Sequence, residues 1–85
     1  MNISKTDQRV LHVLAQGGAI QVERSPGGKL TSCLCVSREG HVLSDCTFSV
    51  FLRLRRRRLV HSAGGAPYRI SPLGRRHVRG QTDNR

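Results

Sequence analysis

Cys33, Cys35, His41 and Cys46 are the side chains here that could coordinate a soft metal or supply a nucleophile. Their C-x-C…H…C spacing lacks the C-x₂₋₄-C knuckle of structural zinc sites. Two cysteines one residue apart on a strand project to the same side, where they can pack as small apolar groups. Free thiols are therefore expected, with no metal and no cofactor. Asp45 and His41 lie close to Cys46, but a thiol nucleophile needs an aligned base and an oxyanion-stabilising pocket, which this spacing does not establish. Ser25-Pro26-Gly27-Gly28-Lys29 and Ala63-Gly64-Gly65 read as turns, because neither completes the G-x-x-x-x-G-K-[ST] phosphate loop. No catalytic residue is assigned, and a protein that is not an enzyme is expected.

The chemistry the sequence does offer is anion recognition. Fifteen Lys plus Arg stand against five Asp plus Glu in 85 residues, a net charge of +10, and thirteen of the fifteen are arginine. Residues 1–50 hold five basic and four acidic side chains, whereas residues 51–85 hold ten and one. Arg53, Arg56 and Arg57 share a helical face with Ser49, Arg55 and Arg58 flank them, Arg69 follows in a hairpin, and Arg75, Arg76 and Arg79 fall in a last helix. The rigid multi-donor fork of arginine suits phosphate or carboxylate. Duplex DNA is the first expected partner. The alternative is a protein–protein interaction module on an acidic protein surface, and plain solubilising charge is the third reading. The groove-facing half of the arginine helix would be Thr47-Phe48-Ser49-Val50, poor in base-reading side chains, so backbone contacts with little sequence preference are expected.

The elements that must position these arginines can be read from periodicity and caps. Ser4 is a good N-cap with Asp7 three residues on, Val10, Leu11, Val13 and Leu14 form a stripe, and Gly17-Gly18 ends a helix over 4–16. Alternation then predicts a hairpin of 19–24 and 29–37, with a short third strand at 41–43. A helix over 47–57 buries Phe48, Phe51, Leu52 and Leu54. Leu59-Val60-His61 and Pro67-Tyr68-Arg69-Ile70 bracket a glycine-rich tip, and Ser71-Pro72 starts a short helix to about residue 78. Val10, Leu11, Leu14, Ile20, Val22, Leu34, Val36, Phe51, Leu54, Leu59, Tyr68 and Ile70 are the expected core. The fold class is α+β, a small winged-helix-like domain with an additional N-terminal β-hairpin, spanning 1–80 before a flexible tail at 81–85. No apolar run is long enough to span a membrane, and three cysteines do not suggest a secreted scaffold, so a cytoplasmic protein is expected.

Gln8-x-x-x-Leu11-His12-Val13-Leu14-Ala15-x-Gly17-Gly18, Ser37-Arg38-Glu39-Gly40, Asp45-Cys46-Thr47, Pro67-Tyr68-Arg69-Ile70 and Asp83-Asn84-Arg85 occur in this order along the chain. Together they resemble the YjhX-like family of small bacterial proteins. The resemblance implies a cytoplasmic protein of toxin–antitoxin type that inhibits DNA topoisomerase I, with an acetyltransferase-like antitoxin as partner. It supplies no binding residues to carry over.

Overall fold

Each helix begins at a hydroxyl. Ser4, Thr47 and Ser71 all hold extended backbone, and their side-chain oxygens accept the amides of Asp7, Val50 and Gly74. One orphan donor per helix start is thereby satisfied. In the computed structural model, which describes residues 2–78, three helices and two antiparallel hairpins result. The order is α1 (Lys5–Ala15), β1 (Ala19–Arg24), β2 (Leu30–Val36), α2 (Phe48–Arg56), β3 (Val60–His61), β4 (Arg69–Ile70) and α3 (Pro72–His77). This is the expected α+β class, in an arrangement consistent with a winged helix. The expected tail at 81–85 lies outside the described residues.

β1 and β2 pair with Ile20 opposite Cys35 and Val22 opposite Cys33, and a bulge after Glu23 sets Arg24 opposite Leu30. β3 and β4 pair Val60 with Ile70. Ile20 joins the two hairpins by exchanging both backbone hydrogen bonds with Tyr68, at 2.8 Å each. The core collects Val10, Leu11 and Leu14 from α1, Phe51 and Leu54 from α2, and Ile20, Leu59, Tyr68 and Ile70 around them. At its centre the Phe51 ring meets the edge of Tyr68 with centroids 5.0 Å apart, a favoured aromatic geometry.

Three expectations need correction. Leu34 is not core: the inward face of β2 carries Cys35 and Cys33, aligned with Ile20 and Val22, so a period of two turns Leu34 outward at 44% exposure. Val22 and Val36 are half-buried. Residues 41–43 form no strand, only an isolated bridge of Val42 to Val36, because the turn at Ser37–His41 leaves no length for a ladder.

α3 is seated by close backbone approach. The Ser71 hydroxyl donates to the Arg58 carbonyl at 2.7 Å and its amide to Leu59, while a Cβ at Gly74 would run into the Leu59 carbonyl oxygen. Gly74→Ala should therefore destabilise the protein by about 1–3 kcal/mol through overpacking, read by urea denaturation. An unchanged midpoint would contradict this seating of α3.

Candidate functional site

The arginines of α2 and its exit do not form one equivalent set, because helical geometry sends them in different directions. Val50, Phe51 and Leu54 fix the buried side. At 100° per residue, Arg53 and Arg57 then lie on one flank, Phe48 and Arg55 on the other, and Ser49, Arg56 and Leu52 face outward, Leu52 on the Phe48 side.

Arg53 is the exception to the expected face of anion-seeking arginines. Its Nε and Nη2 donate to the two carboxylate oxygens of Asp7 at 2.8 and 2.7 Å. Asp7 is 0% exposed, so the pair is a bidentate charge-assisted clamp between α1 and α2. The hydrogen bonds from Arg53 hold the Asp7 carboxyl below its ordinary value of 3.8 against the opposing effect of burial, with the charge of Arg53, the Ser4 hydroxyl and the charge of Arg57 assisting. Sequence spacing could not show this, since the partners are 46 residues apart. An Asp on the stripe side of the first helical turn was the available signal.

Three more arginines are partly engaged. Arg57 donates through Nη1 to the Asn2 carbonyl at 3.1 Å, Arg55 through Nε to the Tyr68 hydroxyl at 3.2 Å, and Arg69 through Nη1 to the Gly17 carbonyl at 3.1 Å. Each keeps further guanidinium donors. Arg56, Arg58, Arg75 and Arg76 are exposed, and among the described residues their guanidinium groups have no hydrogen-bond or ion-pair partner. Arg75 and Arg76 follow Ser71, which is bonded to the Arg58 carbonyl, so α3 starts against the exit of α2. Arg79 lies outside the described residues.

Among the described residues no carboxylate pairs with Arg56, Arg58, Arg75 or Arg76. Asp7 pairs with Arg53, Asp45 with Arg9, and Glu23 accepts from Ser32. The thiols are structural in character. Cys35 and Cys46 are buried and Cys33 is half-buried, and the Cys33 thiol donates to the Cys46 carbonyl at 3.8 Å. The hydrogen bond with Cys35 and burial push the Cys46 thiol up and burial raises Cys33, which opposes thiolate chemistry at both, while the hydrogen bond with Cys46 lowers the buried Cys35. His41 is exposed on the turn after β2. Among the described residues no group of three His, Cys, Asp or Glu side chains could hold a metal ion, and no helix is long and apolar enough to cross a membrane.

A family model described as "Putative toxin of bacterial toxin-antitoxin pair" matches residues 1–85. The chain is similar to a UPF0386 protein of Beijerinckia indica, 58% identical over 85 residues and covering all of both chains. It is 61% identical over 84 residues to one of Rhodospirillum rubrum, covering 99% of this chain and 93% of that one. A UPF0386 protein of Aliivibrio fischeri is 49% identical over the full length of both. No solved structure matches.

The clamp makes asymmetric demands on its partners. Arg53→Met leaves a buried carboxylate unpaired and should cost about 3–5 kcal/mol. Asp7→Asn leaves a guanidinium that is one-third exposed and can be rehydrated, and should cost roughly 1–3 kcal/mol. Because the folded pKa of Asp7 is depressed, its stabilisation is present above pH 3.8 and is lost as pH falls through the folded value. Denaturation of wild type and Asp7→Asn across acid pH should show the stability difference shrinking there; a pH-independent difference would contradict the assignment.

Proposed function

The chain belongs to this family of bacterial proteins, and from that premise we propose that it is a noncatalytic binding protein of winged-helix character that contacts duplex DNA. The contact surface is the outward end of α2 together with α3, with Arg56, Arg58, Arg75 and Arg76 as its free arginines and Arg55, Arg57 and Arg69 as partly anchored neighbours. The exposed tip of the β3–β4 hairpin serves as the wing.

One observation carries this reading. α1 and α2 end in the same way, with a 6→1 and a 5→2 backbone bond closing the last turn: Gly18 to Val13 and Gly17 to Leu14 in α1, Leu59 to Leu54 and Arg58 to Arg55 in α2. The left-handed residue this requires is Gly17 in α1, φ 107°, but Arg58 in α2, φ 62°. A side chain in that conformation costs about 1–2 kcal/mol that glycine would avoid. The cost falls where an arginine is also repelled by its neighbours, so the guanidinium is retained for something outside the fold. An anion arriving at the exit of α2 supplies the compensation.

Backbone phosphate is the anion whose spacing suits several exposed forks at once, and the helix offers few side chains that read bases. A toxin covering duplex in this way would obstruct a DNA topoisomerase I that must engage it, and an acetyltransferase-like antitoxin would be its counterpart, as the family resemblance implies.

A salt-resolved anisotropy titration of labelled duplex tests the reading. Arg56→Ala/Arg58→Ala/Arg75→Ala/Arg76→Ala should remain folded and lower the salt slope by about 0.9 for each phosphate contact removed. Arg58→Gly should bind more weakly while gaining about 1 kcal/mol of stability. Equal binding by wild type and the quadruple variant, or none by wild type at about 0.15 M salt, would refute duplex contact and leave an acidic protein surface or solubilising charge as the reading. Stronger competition by structured RNA than by duplex would also count against it.

A further inference from the structure

On the flank of α2 away from Arg53 and Arg57, a groove of about 370 Å³ opens between the helix and the bulged end of the β1–β2 hairpin. Its floor is apolar: Leu30, Phe48 and Leu52 are half-buried, packed on the core from below and open above. Its rim is basic: Arg24, Lys29 and Arg55. Among the described residues no carboxylate lines it, and Glu23 projects from the other face of the hairpin beside Ser32.

Two of the three rim charges are tethered. Arg24 donates through Nη1 to the Gly28 carbonyl at 2.9 Å, and Arg55 is tied to the Tyr68 hydroxyl. Both retain free donors, and the Lys29 ammonium has no partner among the described residues. Two tethered cations beside an apolar floor lower the entropic cost of binding a complementary ligand. An apolar floor has no use in gripping phosphates. Nor is Phe48 a free platform for a base, since its ring leans on Phe51 with centroids 6.2 Å apart.

We propose that this groove docks an acidic amphipathic segment of a partner protein, its apolar side chains resting on Leu30, Phe48 and Leu52 and its carboxylates meeting Arg24, Lys29 and Arg55. The mode is that of an amphipathic segment in a groove, with charge complementarity fixing its register. Arg55 borders both surfaces, and the rest of the groove is distinct from the outward arginines, so duplex and segment can be held at once.

The probe is a labelled synthetic peptide of about sixteen residues with leucine on one helical stripe and glutamate on its flanks. A scramble of the same composition and a lysine-for-glutamate version serve as controls. Titrated into ¹⁵N-labelled full-length protein, it should shift the amides of Leu30, Phe48 and Leu52 and bind about tenfold or more tighter than either control. Leu52→Glu should abolish that preference. If Leu52→Glu does not fold, Arg24→Glu/Lys29→Glu leaves the floor intact and should reverse the preference towards the lysine peptide. Equal binding of the scramble, shifts confined to residues 56–58 and α3, or displacement by duplex DNA from the same amides would overturn the proposal. The last two outcomes leave the DNA reading standing.

Discussion

The bidentate pair of Arg53 and Asp7 is the constraint on which the functional surface depends. A carboxylate with no solvent exposure needs compensation for lost hydration, and two short hydrogen bonds from one rigid fork provide it. Burial of Val50, Phe51 and Leu54 sets the rotation of α2, and the pair ties that orientation to α1. Once Arg53 points at α1, helical geometry directs Arg56 to solvent and turns Leu52 and Arg55 toward the hairpin. The buried residues and the ion pair together divide one arginine-rich helix into an anchored flank, an outward face and a groove wall.

The same helix shows a conflict between local stability and charge. Four consecutive arginines at 55–58 favour the C-terminal end of the helix dipole yet repel one another. The fold relieves part of this by lending Arg55 to Tyr68 and Arg57 to Asn2. It does nothing for Arg56 or Arg58, and it places Arg58 in a conformation suited to glycine. These unrelieved features support the proposed binding role of this surface.

Much of the fold was legible because local chemistry decided it. Ser4 and Gly17 mark α1, and Ser71-Pro72 marks α3, by caps that need no tertiary information. Leu34 was misplaced because hydrophobicity suggests burial, whereas strand phase is set by the partner register, which favours the smaller Cys33 and Cys35 inside. The arginine patch was legible as composition. The separate fate of Arg53 was not, because a contact between α1 and α2 leaves no periodic trace, and neither was the groove, whose walls come from residues 24–30 and 48–55.

In the proposed function Arg53 serves the fold while Arg56, Arg58, Arg75 and Arg76 serve binding. The most direct test follows the guanidinium Nε–H resonances of the full-length protein during addition of duplex DNA. The account requires the Arg53 signal to stay in place, slow to exchange with solvent, while those of Arg56, Arg58, Arg75 and Arg76 move together. A shifted Arg53 signal with the other four unmoved would contradict it.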